Sequence, residues 1–217
     1  MSLSAKSVQR LLLHLLCLSP AAWLFYLAAT DGLGANPAEA LLRALGIWAI
    51  RFVCVALAVT PLRQWLGWNA LAAYRRMLGL YAFFYASLHW LAYVVFDMGV
   101  DWSAIVADLI KRPFILIGTL AWLVLLVLAI TSIPQLIRRM GGKRWQMLHR
   151  AVYGVAALAV LHFWWMRSGK NNFAEVWLYG LVLAGLLAAR WVFLKRKRML
   201  AAAKAAKAAK AAQAARV

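Results

Sequence analysis

The chain alternates long apolar runs with short polar segments. The runs are Leu11–Ala29, Ala44–Thr60, Met77–Phe96, Pro113–Ile133, Ala151–Met166 and Ala174–Leu194. They are apolar on all sides rather than along one stripe, and most have the roughly 17–25 residues a helix needs to cross a bilayer core. The fifth sits at the short end of that range. The pattern predicts an all-α membrane protein built as a six-transmembrane-helix bundle over residues 1–195. Residues 196–217 form a separate basic tail, alanine-rich with lysine at every third position, and are expected to be helical. The first run is long enough to span and five more follow it, so it reads as a span rather than a cleavable signal.

The polar segments fix an orientation. One set comprises the N-terminus, the 61–76 and 134–150 segments and the tail; it carries most of the 25 basic residues and no acid. The other set, 30–43, 97–112 and 167–174, holds Arg43, Lys111, Arg112, Arg167 and Lys170. All six acids lie there or at its boundary: Asp31, Glu39, Asp97, Asp101, Asp108 and Glu175. The positive-inside rule makes the acid-free side cytoplasmic and puts both termini there.

Composition agrees. The chain is 66% hydrophobic with a mean hydropathy of +0.75, too apolar for a soluble domain. A net charge of +19 would suit nucleic acid, but the charges cluster at the ends of apolar runs and point to membrane lipids instead. The Lys195–Arg198 stretch is expected against anionic headgroups. Cys17 and Cys54 are isolated and read as small buried hydrophobes.

The candidate chemistry is histidine. His89 lies 12 residues into the third run and His162 lies 11 residues into the fifth, so two parallel helices carry them to similar depth, in the half away from the cytoplasm. An imidazole in lipid is costly and usually faces a bundle interior. Two of them facing each other could ligate a haem iron, or could simply hydrogen-bond between helices. His149 stands at the cytoplasmic boundary, 13 residues before His162 and about 140° away on an ideal helix. The two share a face only if the fifth span is distorted or His149 precedes its regular part. His149 could ligate a second haem, or bind a propionate, a quinone or a flavin. His14 has no companion at matched spacing and reads as an interhelical polar contact.

Arginines supply the remaining candidates. Arg51, inside the second span, either snorkels or neutralises a haem propionate; Arg190 is close enough to its helix end to snorkel. Arg75, Arg76, Arg138, Arg139, Lys143 and Arg144 bracket His149 and form a basic mouth suited to a flavin phosphate, propionates or an acidic donor protein, or to lipid headgroups.

The segments VTPLRQW, YRRMLGLYAFFYASLHWLAY and LAITSIPQLIRRMGGKRWQMLHRAVYGVAALAVLHFWW, in this order, resemble the haem-binding membrane subunits of periplasmic methionine sulfoxide reductase systems, the MsrQ (YedZ) family. That family belongs to the ferric-reductase-like transmembrane group, and the likeness covers about residues 5–195. The resemblance implies haem b between the third and fifth helices, with the haem-associated histidines at His89, His149 and His162. It also implies FMN, electrons from the quinone pool or a cytosolic flavin reductase, and delivery to a periplasmic molybdopterin-containing methionine sulfoxide reductase subunit. The related oxidase cores carry four histidines; here Arg75 or Arg76 occupies the region of the fourth. A related cytochrome with a different acceptor is the nearest alternative. A transporter would need mid-span acids or broken paired helices, and no acid lies mid-span.

Overall fold

The computed structural model describes residues 4–169 and 171–214; Lys170 lies outside them. Among the described residues there is no strand, and six helical stretches are long and apolar enough to cross a membrane. These are Lys6–Ala29, Pro37–Leu66, Asn69–Asp97, Pro113–Ile130, Gly142–Ser168 and Ala174–Ala206. The expected six-helix bundle is therefore the fold, with the second span starting earlier than its apolar run suggests.

Local chemistry sets the boundaries. Helix α1 (Ala5–Ala29) is capped by Ser4. Helix α2 (Pro37–Leu66) starts with the Asn36 side chain accepting from the Glu39 N–H and a proline in its first turn, and ends at Gly67 with φ of 69°. A 3₁₀ turn over Asn69–Tyr74 leads into α3 (Arg75–Ala92), which ends in a π turn over Tyr93–Asp97. The short helix α4 (Trp102–Lys111), capped by the Asp101 side chain, runs into α5 (Pro113–Ile130). Two one- to two-turn helices, α6 (Pro134–Met140) and α7 (Gly142–Leu148), form the basic connection. A 3₁₀ turn at His149–Ala151 then opens α8 (Val152–Ser168). Helix α9 (Ala174–Ala214) continues unbroken past residue 195 into the alanine–lysine tail.

The core is organised in two helix pairs, α2 against α3 and α5 against α8. Between α2 and α3, Phe52 stacks on Tyr85 with centroids 5.0 Å apart at 12°, and on Tyr81 at 5.6 Å. Tyr85 is fully buried and also reaches α1. Pro20 deprives the Leu16 carbonyl of its N–H partner four residues on, and the Ser19 hydroxyl donates to that carbonyl at 3.0 Å. One residue past Pro20, the Tyr85 hydroxyl accepts from the Ala21 N–H at 3.0 Å and donates to the Cys17 carbonyl at 2.8 Å. It thus bridges both ends of one rung of the α1 ladder. His14 makes the interhelical contact expected of it, Nδ1 to the Tyr81 hydroxyl at 2.7 Å.

At the acid-bearing end, α4 lies as an amphipathic cap. Ile105 packs with Tyr93 and Val94, while Trp102, Val106 and Ile110 are exposed along one line. The Tyr93 hydroxyl donates to Asp108 at 2.8 Å, and Asp108 is ion-paired with Arg112. That guanidinium, then the Tyr93 hydroxyl, hold the Asp108 carboxyl below the usual carboxylate range.

Candidate functional site: a paired imidazole cradle

A cavity of about 420 Å³ separates the two helix pairs and opens toward the acid-bearing end. His89 on α3 and His162 on α8 both line it, with ring centroids 6.2 Å apart. The matched depth expected from their positions in the third and fifth spans places them together.

Each imidazole is held by the other member of its helix pair, and the same device is used twice. His89 Nδ1 lies 2.8 Å from the Leu42 carbonyl of α2. His162 Nδ1 lies 2.6 Å from the Phe114 carbonyl of α5. A carbonyl can only accept, so both Nδ1 atoms carry the proton and both Nε2 atoms keep a lone pair. Four residues after each carbonyl stands a glycine. A Cβ at Gly46 would lie 3.1 Å from His89 Cε1 and Nδ1, and one at Gly118 would lie 2.8 Å from the same atoms of His162. The absent side chains are what let the rings reach the carbonyls.

This donor set suits an iron macrocycle. His89 and His162 would hold the iron of such a group through their free Nε2 atoms. Among the described residues no group of three or more His, Cys, Asp or Glu side chains converges. The cradle therefore offers two ligands, which a macrocycle with four nitrogens of its own would complete. Leu42, Ile47, Phe114, Val155 and Phe163 make much of the wall apolar. Polar groups collect at the mouth, where Arg43, Arg112 and Arg167 line the cavity with Glu39 and Asp97. Arg43 pairs with Glu39, and Arg167 Nη2 donates to Glu175 at 2.5 Å. Arg167 Nε is buried without a protein partner among the described residues, an open donor where a carboxylate of such a group could sit.

Arg51 is elsewhere. Its Nε donates to the Tyr179 hydroxyl of α9 at 2.9 Å and its guanidinium lies 4.6 Å from the Trp48 ring. It does not line the cavity, whereas Arg43, eight residues earlier on α2, does. The reason is angular: five residues past Gly46 on α2 lies about 140° around the helix, whereas Arg43 and Gly46 share a face. The mouth arginines and the two glycines were not identified from sequence. Arg112 and Arg167 looked like ordinary loop charges, and a glycine seat depends on a facing helix that one sequence does not display.

His149 is not in the cavity. It stands in the 3₁₀ turn before α8, so it does precede the regular part of that span. Its Nε2 lies 3.3 Å from the Thr131 hydroxyl and its ring centroid 4.1 Å from that of Trp145. The basic-mouth residues Arg75, Arg76, Arg138, Arg139, Lys143 and Arg144 are all exposed at the acid-free end; Arg75 also donates to the Thr60 hydroxyl at 2.6 Å.

Known proteins align with this chain. Residues 45–160, which include His89 and His149, match the family described as the ferric reductase like transmembrane component. A protein of Polaromonas naphthalenivorans is 57% identical over 179 residues, 82% of each chain. One from Ralstonia nicotianae is 48% identical over 85% of this chain and 86% of its own. One from Bordetella parapertussis is 48% identical over 90% of this chain and 96% of its own. All three are named protein-methionine-sulfoxide reductase heme-binding subunit MsrQ. With identity at this level across nearly the whole bundle, the chain belongs to the ferric-reductase-like transmembrane family and, within it, to the MsrQ subunits.

Proposed function

We propose that this chain is the b-type cytochrome membrane subunit of a methionine sulfoxide reductase system, holding one haem b between α3 and α8 on His89 and His162. The observation that carries the reading is the doubled seat, in which each imidazole is proton-locked on a carbonyl and backed by a glycine. The names of the relatives as heme-binding subunits support it. Bound there, haem b supplies a one-electron carrier with no open coordination position. His89 and His162 keep their Nδ1 protons on Leu42 and Phe114 and present Nε2; the carbonyl partners fix the tautomer and raise ligand basicity. Arg167, Arg43 and Arg112 offer donors to propionates at the mouth.

Charge asymmetry supports the orientation: the acid-free end faces the cytoplasm of a bacterial inner membrane, with both termini inside. The cavity mouth then faces the periplasm and a molybdopterin-containing methionine sulfoxide reductase subunit, which carries the sulfoxide chemistry. Quinol or a cytosolic flavin reductase donates at the opposite end. There His149, Arg75, Arg76, Arg138, Lys143 and Arg144 form the entry, and FMN, implied by the family, is the second cofactor. Residues 1–195 make the haem-binding domain and 196–217 the basic tail, of which α9 takes in the part up to Ala214. The test is the visible spectrum. His89→Ala and His162→Ala should each lose the low-spin Soret and α bands, and His149→Ala should keep those of this haem. A wild-type spectrum in both of the first two variants overturns the assignment.

A further inference from the structure

At the acid-free end, three helices bring together cations that no carboxylate balances. Arg75 at the start of α3 donates through Nη2 to the Thr60 hydroxyl of α2 at 2.6 Å. Arg190 of α9 approaches the same oxygen through Nη1 at 3.4 Å and lies 5.1 Å from the Tyr153 ring of α8. Arg63 of α2 is close enough, with Arg190, to repel Arg75. Thr60 itself is buried. All six acids of the sequence belong to the loops or boundaries at the other end. Two guanidinium groups from helices separated by more than a hundred residues thus share one neutral acceptor, which satisfies one N–H from each and cancels no charge.

We propose that Arg75, Arg190 and Thr60 form a phosphate-binding site at the acid-free end of the bundle, taking the phosphoryl group of either a lipid headgroup or a soluble phosphate ester. A carboxylate is met by one arginine fork, whereas a phosphoryl group offers several oxygens to forks arriving from two directions. A phosphate monoester carries about −1.5 to −2 charge at neutral pH, which answers two arginines. Arg190, legible in the sequence only as a residue near a helix end, is anchored over Tyr153 and turned to Thr60 rather than extended to solvent. The site is separate from the His89–His162 cavity and does not depend on what that cavity holds; it shares Arg75 with the proposed entry, so its soluble-ester arm rests on that reading.

The full chain in detergent, freed of lipid, should bind inorganic phosphate saturably at constant ionic strength if the natural ligand is a soluble ester. Arg75→Gln and Arg190→Gln should each weaken that binding by at least about tenfold, the loss of one charge-assisted hydrogen bond. Arg10→Gln, an exposed cation of α1 at the same end but outside the cluster, should not change it. If the ligand is a lipid, inorganic phosphate binds weakly, and wild-type protein taken from phosphatidylglycerol-containing nanodiscs retains that lipid in native mass spectrometry. The Arg75→Gln/Arg190→Gln protein then loses it. Gel filtration confirms that each variant is intact, and Arg190→Gln alone decides the matter if Arg75→Gln fails to insert. Neither phosphate binding nor lipid retention by the wild type, or equal values in Arg190→Gln, overturns the proposal.

Discussion

Gly118→Ala is the sharpest test of how the cradle works. A Cβ at this position would stand 2.8 Å from His162 Cε1 and Nδ1 and 3.3 Å from Cγ, where ordinary contact begins at 3.4 Å. The backbone of α5 cannot yield easily, because it is packed against α8 along its length. The ring must therefore retreat by about 0.6 Å, against a tolerance of roughly 0.2 Å in a metal–ligand bond. Retreat also stretches the 2.6 Å contact to the Phe114 carbonyl. Loss of an outer hydrogen-bond partner alone typically costs 10- to 100-fold in metal affinity, so haem retention should fall by about that factor or more. Gly46→Ala requires only about 0.3 Å, from 3.1 Å, and should be milder. Haem per protein by pyridine haemochrome, with the Soret and α bands of gel-filtered protein, measures both. Full haem and an unchanged spectrum in Gly118→Ala, or a larger loss in Gly46→Ala, would refute the reasoning.

Other expectations follow from the same contacts. Arg167→Gln should lower the haem midpoint potential in a redox titration, because it removes a positive charge at the cavity mouth, while Arg51→Leu should leave the potential near that of the wild type; the reverse order would give the propionate role to Arg51. Tyr85→Phe removes the hydroxyl that bridges the Cys17 carbonyl and the Ala21 N–H and should cost roughly 1–3 kcal/mol in reversible unfolding, with the haem spectrum retained in the folded fraction. Asp108 titrates below its ordinary value because of Arg112, so its stabilisation of the α4 cap is complete above the ordinary carboxylate pKa and fades as pH drops through the lower folded value. Hydrogen exchange in α4 should accelerate at that acid end, and Asp108→Asn should remove the pH dependence.

The spans were legible because lipid demands long apolar helices whatever their neighbours, and the depth of His89 and His162 followed from counting along parallel spans. The distortion before His162 was legible as a condition: a 13-residue spacing conflicts with a shared face, and the 3₁₀ turn at His149–Ala151 meets it. What stayed hidden depends on pairs of helices. Gly46 and Gly118 look like any small residue until a histidine from the partner helix is laid against them. Arg51 drew attention as a charge in an apolar run, yet the side of α2 on which it falls was set by helix phase and by where α9 packs. Arg167 looked like a loop charge, and burial alone distinguishes it.

The bridging hydroxyl of Tyr85 bears on how the protein is made. Helix α1 is made before α3 and carries Pro20 within it, yet the group that spans the rung after the proline arrives only with α3, 64 residues later. In lipid, where an unpaired backbone group costs several kcal/mol, the early helix must close that rung on its own. Docking of α3 then brings two hydrogen bonds from a buried tyrosine to the same pair of backbone groups. The first helix thus gains its full set of hydrogen bonds only when the third is in place, which ties its final stability to assembly of the core rather than to its own insertion.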